Sequence, residues 1–268
     1  MSAHPGEDEP GCQETYAAMA RRRTKNHIDE ILRDWPHEPG EVAARIVKGQ
    51  DGRPLLQLRI DLGLLQMETE GRPDGSRPGG HTTYYEHMTR QAAQHGDQFT
   101  LTNEDCGEID REFVQFYHRR TCWLALREFR KAVGDADHTL ALMDFTRRHS
   151  DDREWTLSHE QYRPFVLFHR TQAKALAELE DAGPDEAIES INDGLEQLRR
   201  LFIEYDAEEH YDDDDLVRKL IELRESIREH YHVGQTLTEK LAEAVAAERY
   251  EEAARLRDEL ERRRAPQE

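Results

Sequence analysis

Fourteen histidines, three cysteines and one dense run of carboxylates are the side chains of this 268-residue chain that could do chemistry. A metal site needs several of them to converge. His230 and His232 form an HxH pair, but on a helix positions i and i+2 lie about 200° apart and cannot share an ion. They converge only if Tyr231 starts an extended link before Gly234. His159, with Glu160 beside it and Trp155 nearby, stands ten residues before His169. If HEQYRPFVLFHR is one helix, that spacing is close to three turns, so both rings could face one pocket. Polar groups inside packed helices more often serve packing or a groove than catalysis. Cys12, Cys106 and Cys122 are odd in number, far apart and free of any CxxC pair, which argues against a disulfide framework or a cysteine zinc knuckle. Cys122 beside Trp123 reads as core. Eight of the twelve residues Glu204–Asp215 are acidic. The run lacks the central glycine and terminal glutamate of a calcium-binding EF-hand loop, and reads as a solvated connector. The stretch GRPDGSRPGG is no phosphate loop, since it lacks GK[ST] and its prolines remove amides. No Ser/His/Asp or Cys/His constellation assembles from spacing. The expectation is a protein that is not an enzyme, with no cofactor and no metal.

The composition points the same way. Charged residues make up 35%, the hydrophobic types 36%, and mean hydropathy is −0.95. Such a chain suits amphipathic helices that bury one stripe and solvate the rest. Its net charge of −20 repels a phosphate backbone on average, so direct nucleic-acid binding is disfavoured without a local basic face. Two candidates for such a face are Arg21, Arg22, Arg23 and Lys25, and Arg262–Arg264. Three consecutive arginines point in three directions on a helix, so the first cluster reads as a solvated arm. No run of 18 apolar residues is present, and MSAHPGEDEPG lacks a signal peptide's apolar core. No membrane contact and a cytoplasmic, reducing location are expected.

The elements that must position these residues divide the chain into five. Residues 1–40 read as a partly flexible arm with a short helix, in which Ile28, Ile31, Leu32 and Trp35 repeat before Pro36. Residues 41–80 hold a small β-hairpin and a turn-rich linker. Gln50-Asp51-Gly52 lies between two apolar runs, and Leu56, Leu58 and Ile60 alternate as in a half-buried strand. DLGLLQMETEG can extend the sheet, and an open strand edge could accept a partner. Residues 81–203 form a helical region, 204–234 an acidic connector and helix, and 235–264 a helical hairpin. The fold class is therefore mainly α, with a small N-terminal β element.

Two resemblances sharpen this division. Setting Ala132 on Ala187 places Val133 on Ile188, Ala136 on Ile191 and Leu140 on Leu195. With REFVQFYHRRTCWLAL and YRPFVLFHRTQAKALAEL as partner helices, residues 105–200 resemble tetratricopeptide antiparallel helix pairs. The 55-residue separation implies an insertion around HSDDREWTLSHEQ. The second resemblance is local. In QTLTEKLAEAVAAERYEEAARLRDELERRR, Leu237, Leu241, Ala244 and Val245 make one apolar face, and Tyr250, Ala253, Ala254, Leu256 and Leu260 another. The string aromatic-Glu-x-Ala-Ala-x-x-Arg-Asp, met at Tyr250, Glu251, Ala253, Ala254, Arg257 and Asp258, resembles the UVR motif of excinuclease subunits B and C and of McsA-like and Clp-associated bacterial proteins.

The UVR resemblance implies a protein-contact module. By it, Tyr250, Ala253, Leu256 and Leu260 form the packing face, and Arg257 and Asp258 fix orientation. The partner would be a protein, excinuclease subunit-like or Clp ATPase-like, or a second copy. No Walker loop, nuclease half or CxxC pair accompanies the motif, so what transfers is contact and not activity. The expected function is a non-enzymatic adaptor in DNA-repair assembly or Clp protease and stress regulation. The alternative is a nucleotide-excision-repair accessory that touches DNA through its basic termini.

Overall fold

The computed structural model describes residues 27–264, so the basic cluster Arg21–Lys25 lies outside the described residues. Among the described residues the chain is mainly helical, with ten α-helices and one small antiparallel sheet near the N-terminal end. Helix α1 (Asp29–Asp34) stops at Trp35, where Pro36 has no amide to continue it. The expected hairpin is a three-stranded meander, β1 (Ala44–Lys48), β2 (Pro54–Ile60) and β3 (Gly63–Glu68), in the order β1-β2-β3. Ile46 pairs with Leu56, and Leu58 with Leu65. Gly52 supplies the positive φ of the first turn, and Asp61–Leu62 close the second.

Strand β2 departs from the half-buried pattern, because both of its faces are covered. Leu56 and Leu58 pack against Cys122, Trp123, Ala132 and Ala173 of the helices. On the other face Gln57 bonds Arg45 and Gln66, and Arg59 donates to the carbonyl of Trp35 at 2.8 Å. Alternation in the sequence reports polarity, and here short polar bridges and α1 bury the polar side as well. The sheet thus shares one core with the helical body.

Helices α2 (Tyr84–His95), α3 (Asn103–Ala125), α4 (Phe129–His149), α5 (Arg153–Glu160), α6 (Arg163–Asp181), α7 (Pro184–Glu204) and α8 (Asp215–Tyr231) follow. The longer ones pack in chain order, α3 on α4, α4 on α6, α6 on α7 and α7 on α8. Pairing of Glu112 with His138 and of Arg119 with Asp135 shows that α3 and α4 run antiparallel. The small-residue positions are buried in both pairs, at Ala132, Ala136, Ala187 and Ile191. Short α5 lies between α4 and α6, with Asp152 capping it. In the acidic connector, Tyr211 is buried and donates to the carbonyl of Leu195 at 3.0 Å. Three helix ends, at Arg127, Asp206 and His232, close through a non-glycine residue with φ between 53° and 60°.

The interior of the α2–α3–α4 layer is unusually polar. Glu112 is 0% exposed, and its carboxylate accepts the Tyr84 and Tyr85 amides at 2.7 and 3.0 Å. It also meets His138 Nε2 at 2.9 Å and the buried Arg72 at 3.5 Å, so a side chain of α3 caps the start of α2. Arg119 grips Asp135 with two bonds and donates to the carbonyl of Gly71 at 2.8 Å. The Gly/Pro-rich stretch after β3 is held to the helices by these two arginines.

Candidate partner-docking site

The site begins with a capping box. Thr236 accepts the Glu239 amide and the Glu239 carboxylate accepts the Thr236 amide, which starts α9 (Leu237–Ala246) at a fixed place. Glu239 also receives the Arg228 guanidinium of α8 at 2.6 and 2.7 Å and Asn192 of α7 at 3.4 Å. Burial tends to raise the Glu239 carboxyl, but the Thr236 amide and Arg228 outweigh it and hold it below the usual carboxylate range. Glu189 accepts the Thr238 amide at 3.3 Å. One carboxylate therefore both caps the hairpin and mounts it on α7 and α8.

Helix α9 turns over at Glu248, whose φ is 56°, while the Arg249 amide returns to the carbonyl of Ala244 at 2.8 Å. Arg249 brackets the turn with Glu243 and Glu252, each at 3.0 Å. Helix α10 (Tyr250–Arg264) then runs back along α9. Ala244 and Ala253 are both buried, and Leu237 and Leu260 line one groove with Ser190 of α7. The same antiparallel register sets Leu241 opposite Leu256, and both are half-buried. Ala253, Leu256 and Leu260 thus lie on the side of α10 that closes the hairpin.

The remaining motif residues face outward. Tyr250 is 68% exposed, and Glu251, Ala254, Arg257 and Asp258 are exposed. Arg257 donates to Asp258 at 2.8 Å and reaches Glu261 at 4.0 Å, which together raise the Arg257 pKa. Val245 is 53% exposed and does not share the burial of Ala244 beside it. The outward surface is therefore two apolar side chains near the turn and a charged pair further along. The mount through Glu239, Arg228 and Asn192 was missed from the sequence. Its one legible trace was the Thr-x-x-Glu box, because the two partners come from distant helices.

The histidine candidates separate in space. The stretch around His159 and His169 is not one helix, since α5 ends at Glu160 and α6 starts at Arg163. His159 stacks on Phe113 and lies 2.9 Å from Asp110. His169 faces the buried Arg120, 3.4 Å from its Nε. His230 is within α8, and His232 is its left-handed end residue. Among the described residues, no three His, Cys, Asp or Glu side chains group as a metal would require. Burial pushes the Cys122 thiol up to about 12.

Burial and the Arg120 charge pull His169 down from 6.5 to about 4. Between those two values the unfolded chain binds a proton that the folded chain does not, so stability falls as pH drops from about 6.5 to about 4. The loss expected from this ring is about 3 kcal/mol. Denaturant titrations across that range should show a shallower slope in His169→Gln, and an equal slope in both proteins would refute the assignment.

In class, this is a mainly helical protein that mounts a short, outward-facing helical hairpin on the end of its helical stack. Residues 235–264, the hairpin itself, match the family model of the UvrB/uvrC motif. No curated protein and no solved structure matches the chain. No helix among the described residues is long and apolar enough to cross a membrane.

Proposed function

We propose that this protein is a non-enzymatic, cytoplasmic bacterial adaptor that docks a partner protein through the α9–α10 hairpin. The observation that carries the reading is the UvrB/uvrC motif match falling on a hairpin whose Tyr250 and Val245 stay exposed while its base is fixed by Glu239. Fixing the hairpin before association lowers the entropy lost on docking. The apolar side chains supply burial, and Arg257 and Asp258 supply orientation. The partner is an excinuclease subunit or a Clp ATPase, and the pairs α3–α4 and α6–α7 act as a tetratricopeptide-like scaffold behind the hairpin.

Capture of excinuclease subunits and Clp ATPases by the intact chain, by a form truncated before Gln235 and by Tyr250→Ala tests the reading. The truncated form should retain none of the partner, and Tyr250→Ala should bind about tenfold more weakly, the loss expected of an exposed aromatic anchor. Equal capture by all three would sink the proposal. So would tight, salt-sensitive binding of the intact chain to duplex DNA in a mobility assay.

A further inference from the structure

The two edges of the small sheet are finished differently. Arg59 donates its amide to the carbonyl of Ala43 at 2.9 Å, and Gly49 donates to that of Arg53 at 2.8 Å. With Arg45 opposite Gln57 and Val47 opposite Leu55, the odd-numbered residues of β1 are the ones that bond β2. The amides and carbonyls of Ala44 and Ile46 point the other way, and none of the described residues hydrogen-bonds them. At the far edge, β3 is closed at Glu68. Its amide donates to the carbonyl of Pro73 at 2.8 Å, and its carbonyl accepts Arg119 at 3.2 Å. The β1 edge carries apolar side chains in the open, with Ile46 45% and Val42 50% exposed. Such an edge is a template for another strand.

Run antiparallel, this edge is complementary to itself. Exposed Glu38 and Glu41 precede the strand, while Arg45 and Lys48 lie toward its other end. A two-fold axis at Ala44 sets the acidic end of each copy against the basic end of the other. It pairs Val42 with Ile46 of the second copy, Ala44 with Ala44 and Arg45 with Ala43, so no like charges stand opposite. The outward-facing groups of Val42, Ala44 and Ile46 then exchange about six backbone hydrogen bonds across the axis. We infer that two copies of this protein associate edge to edge through β1, joining their sheets into one. The contact uses no residue of the α9–α10 hairpin, so edge pairing and hairpin docking can fail separately.

Amide exchange on the full-length chain, resolved by residue with NMR, tests the pairing from micromolar to millimolar concentration. The Arg45 and Val47 amides, bonded to β2, should be protected throughout. Those of Ala44 and Ile46 should exchange about tenfold more slowly in concentrated than in dilute solution. Sedimentation should show a dimer forming over the same range. Ile46→Lys should weaken that dimer about tenfold, because it places a charge in both apolar pairs. Ala44→Pro removes the outward N–H at the axis, spares the β1–β2 bonds and should abolish the dimer. Continued protection of the Arg45 and Val47 amides shows that β1 stays in place in both variants. Outward amides that exchange alike at every concentration overturn the inference. A dimer that both substitutions leave intact and truncation before Gln235 removes also overturns it, since the hairpin then joins the copies.

Discussion

Asp135→Ala is expected to cost about 3–5 kcal/mol of stability, the penalty for stranding a buried charge. Asp135 and Arg119 are both buried, joined by bonds of 2.9 and 2.7 Å. Arg120, also buried, donates to Thr139 Oγ1 at 3.0 Å beside the His169 ring, and it leans on the same carboxylate. Without Asp135, both buried guanidiniums lose the carboxylate they share. Arg119 also holds the carbonyls of Glu68 and Gly71, so its displacement would release the stretch that links sheet and helices. Thermal and denaturant unfolding measure the loss. In Asp135→Leu combined with Arg119→Met, much of it should return, since an apolar pair leaves less charge uncompensated. A cost below about 1 kcal/mol for Asp135→Ala would show that Arg119 and Arg120 find other partners.

Gly194→Ala is the second large effect, and its sign is the informative part. An alanine in place of a helical glycine ordinarily gains about 1 kcal/mol. At Gly194 a Cβ would sit 2.1 Å from Thr171 Oγ1 and 2.7 Å from Thr171 Cβ, so α6 and α7 would have to separate. A loss of about 2–3 kcal/mol is expected, the range for overfilling a packed core. Gly107→Ala in α3 and Gly134→Ala in α4 meet nothing within 4 Å and serve as controls that should gain stability. Adding Thr171→Gly to Gly194→Ala removes the obstructing atoms and should recover most of the difference from those controls. If Gly194→Ala is as stabilising as the controls, the two helices are not in the close contact described.

These two sites mark where sequence reasoning reached and where it stopped. Apolar spacing gave the helices and the burial of Ala132, Ala136, Ala187 and Ile191, because each is a local periodic signal. The apolar positions Leu237, Leu241 and Ala244 placed the first hairpin helix for the same reason, whereas its Thr-x-x-Glu cap was not read from the sequence. Spacing could not reveal that Glu112, Arg119 and Asp135 point inward, since charged residues on an amphipathic helix ordinarily face water. Nor could it show that Trp35 and Gln66 cover the polar side of β2. Within the hairpin, the motif marked residues of one helix, but the groove that Leu237 and Leu260 line together depends on where the turn places the second helix. The outward position of Tyr250 and Val245 follows from that turn and from no spacing rule.

The shared core of the sheet and the helices sets an order on how the molecule is made. Leu56 and Leu58 bury themselves on Trp123, Ala132 and Ala173, residues synthesised long after them. At ~5–20 residues per second, a nascent chain waits on the order of ten seconds between finishing β3 and producing Ala173. Helix pairs such as α3–α4 can form as soon as they emerge, because their contacts are local. The sheet cannot. Through that interval it presents an apolar face and two strand edges to the crowded surroundings of the ribosome, and it is there that a chaperone would find this chain.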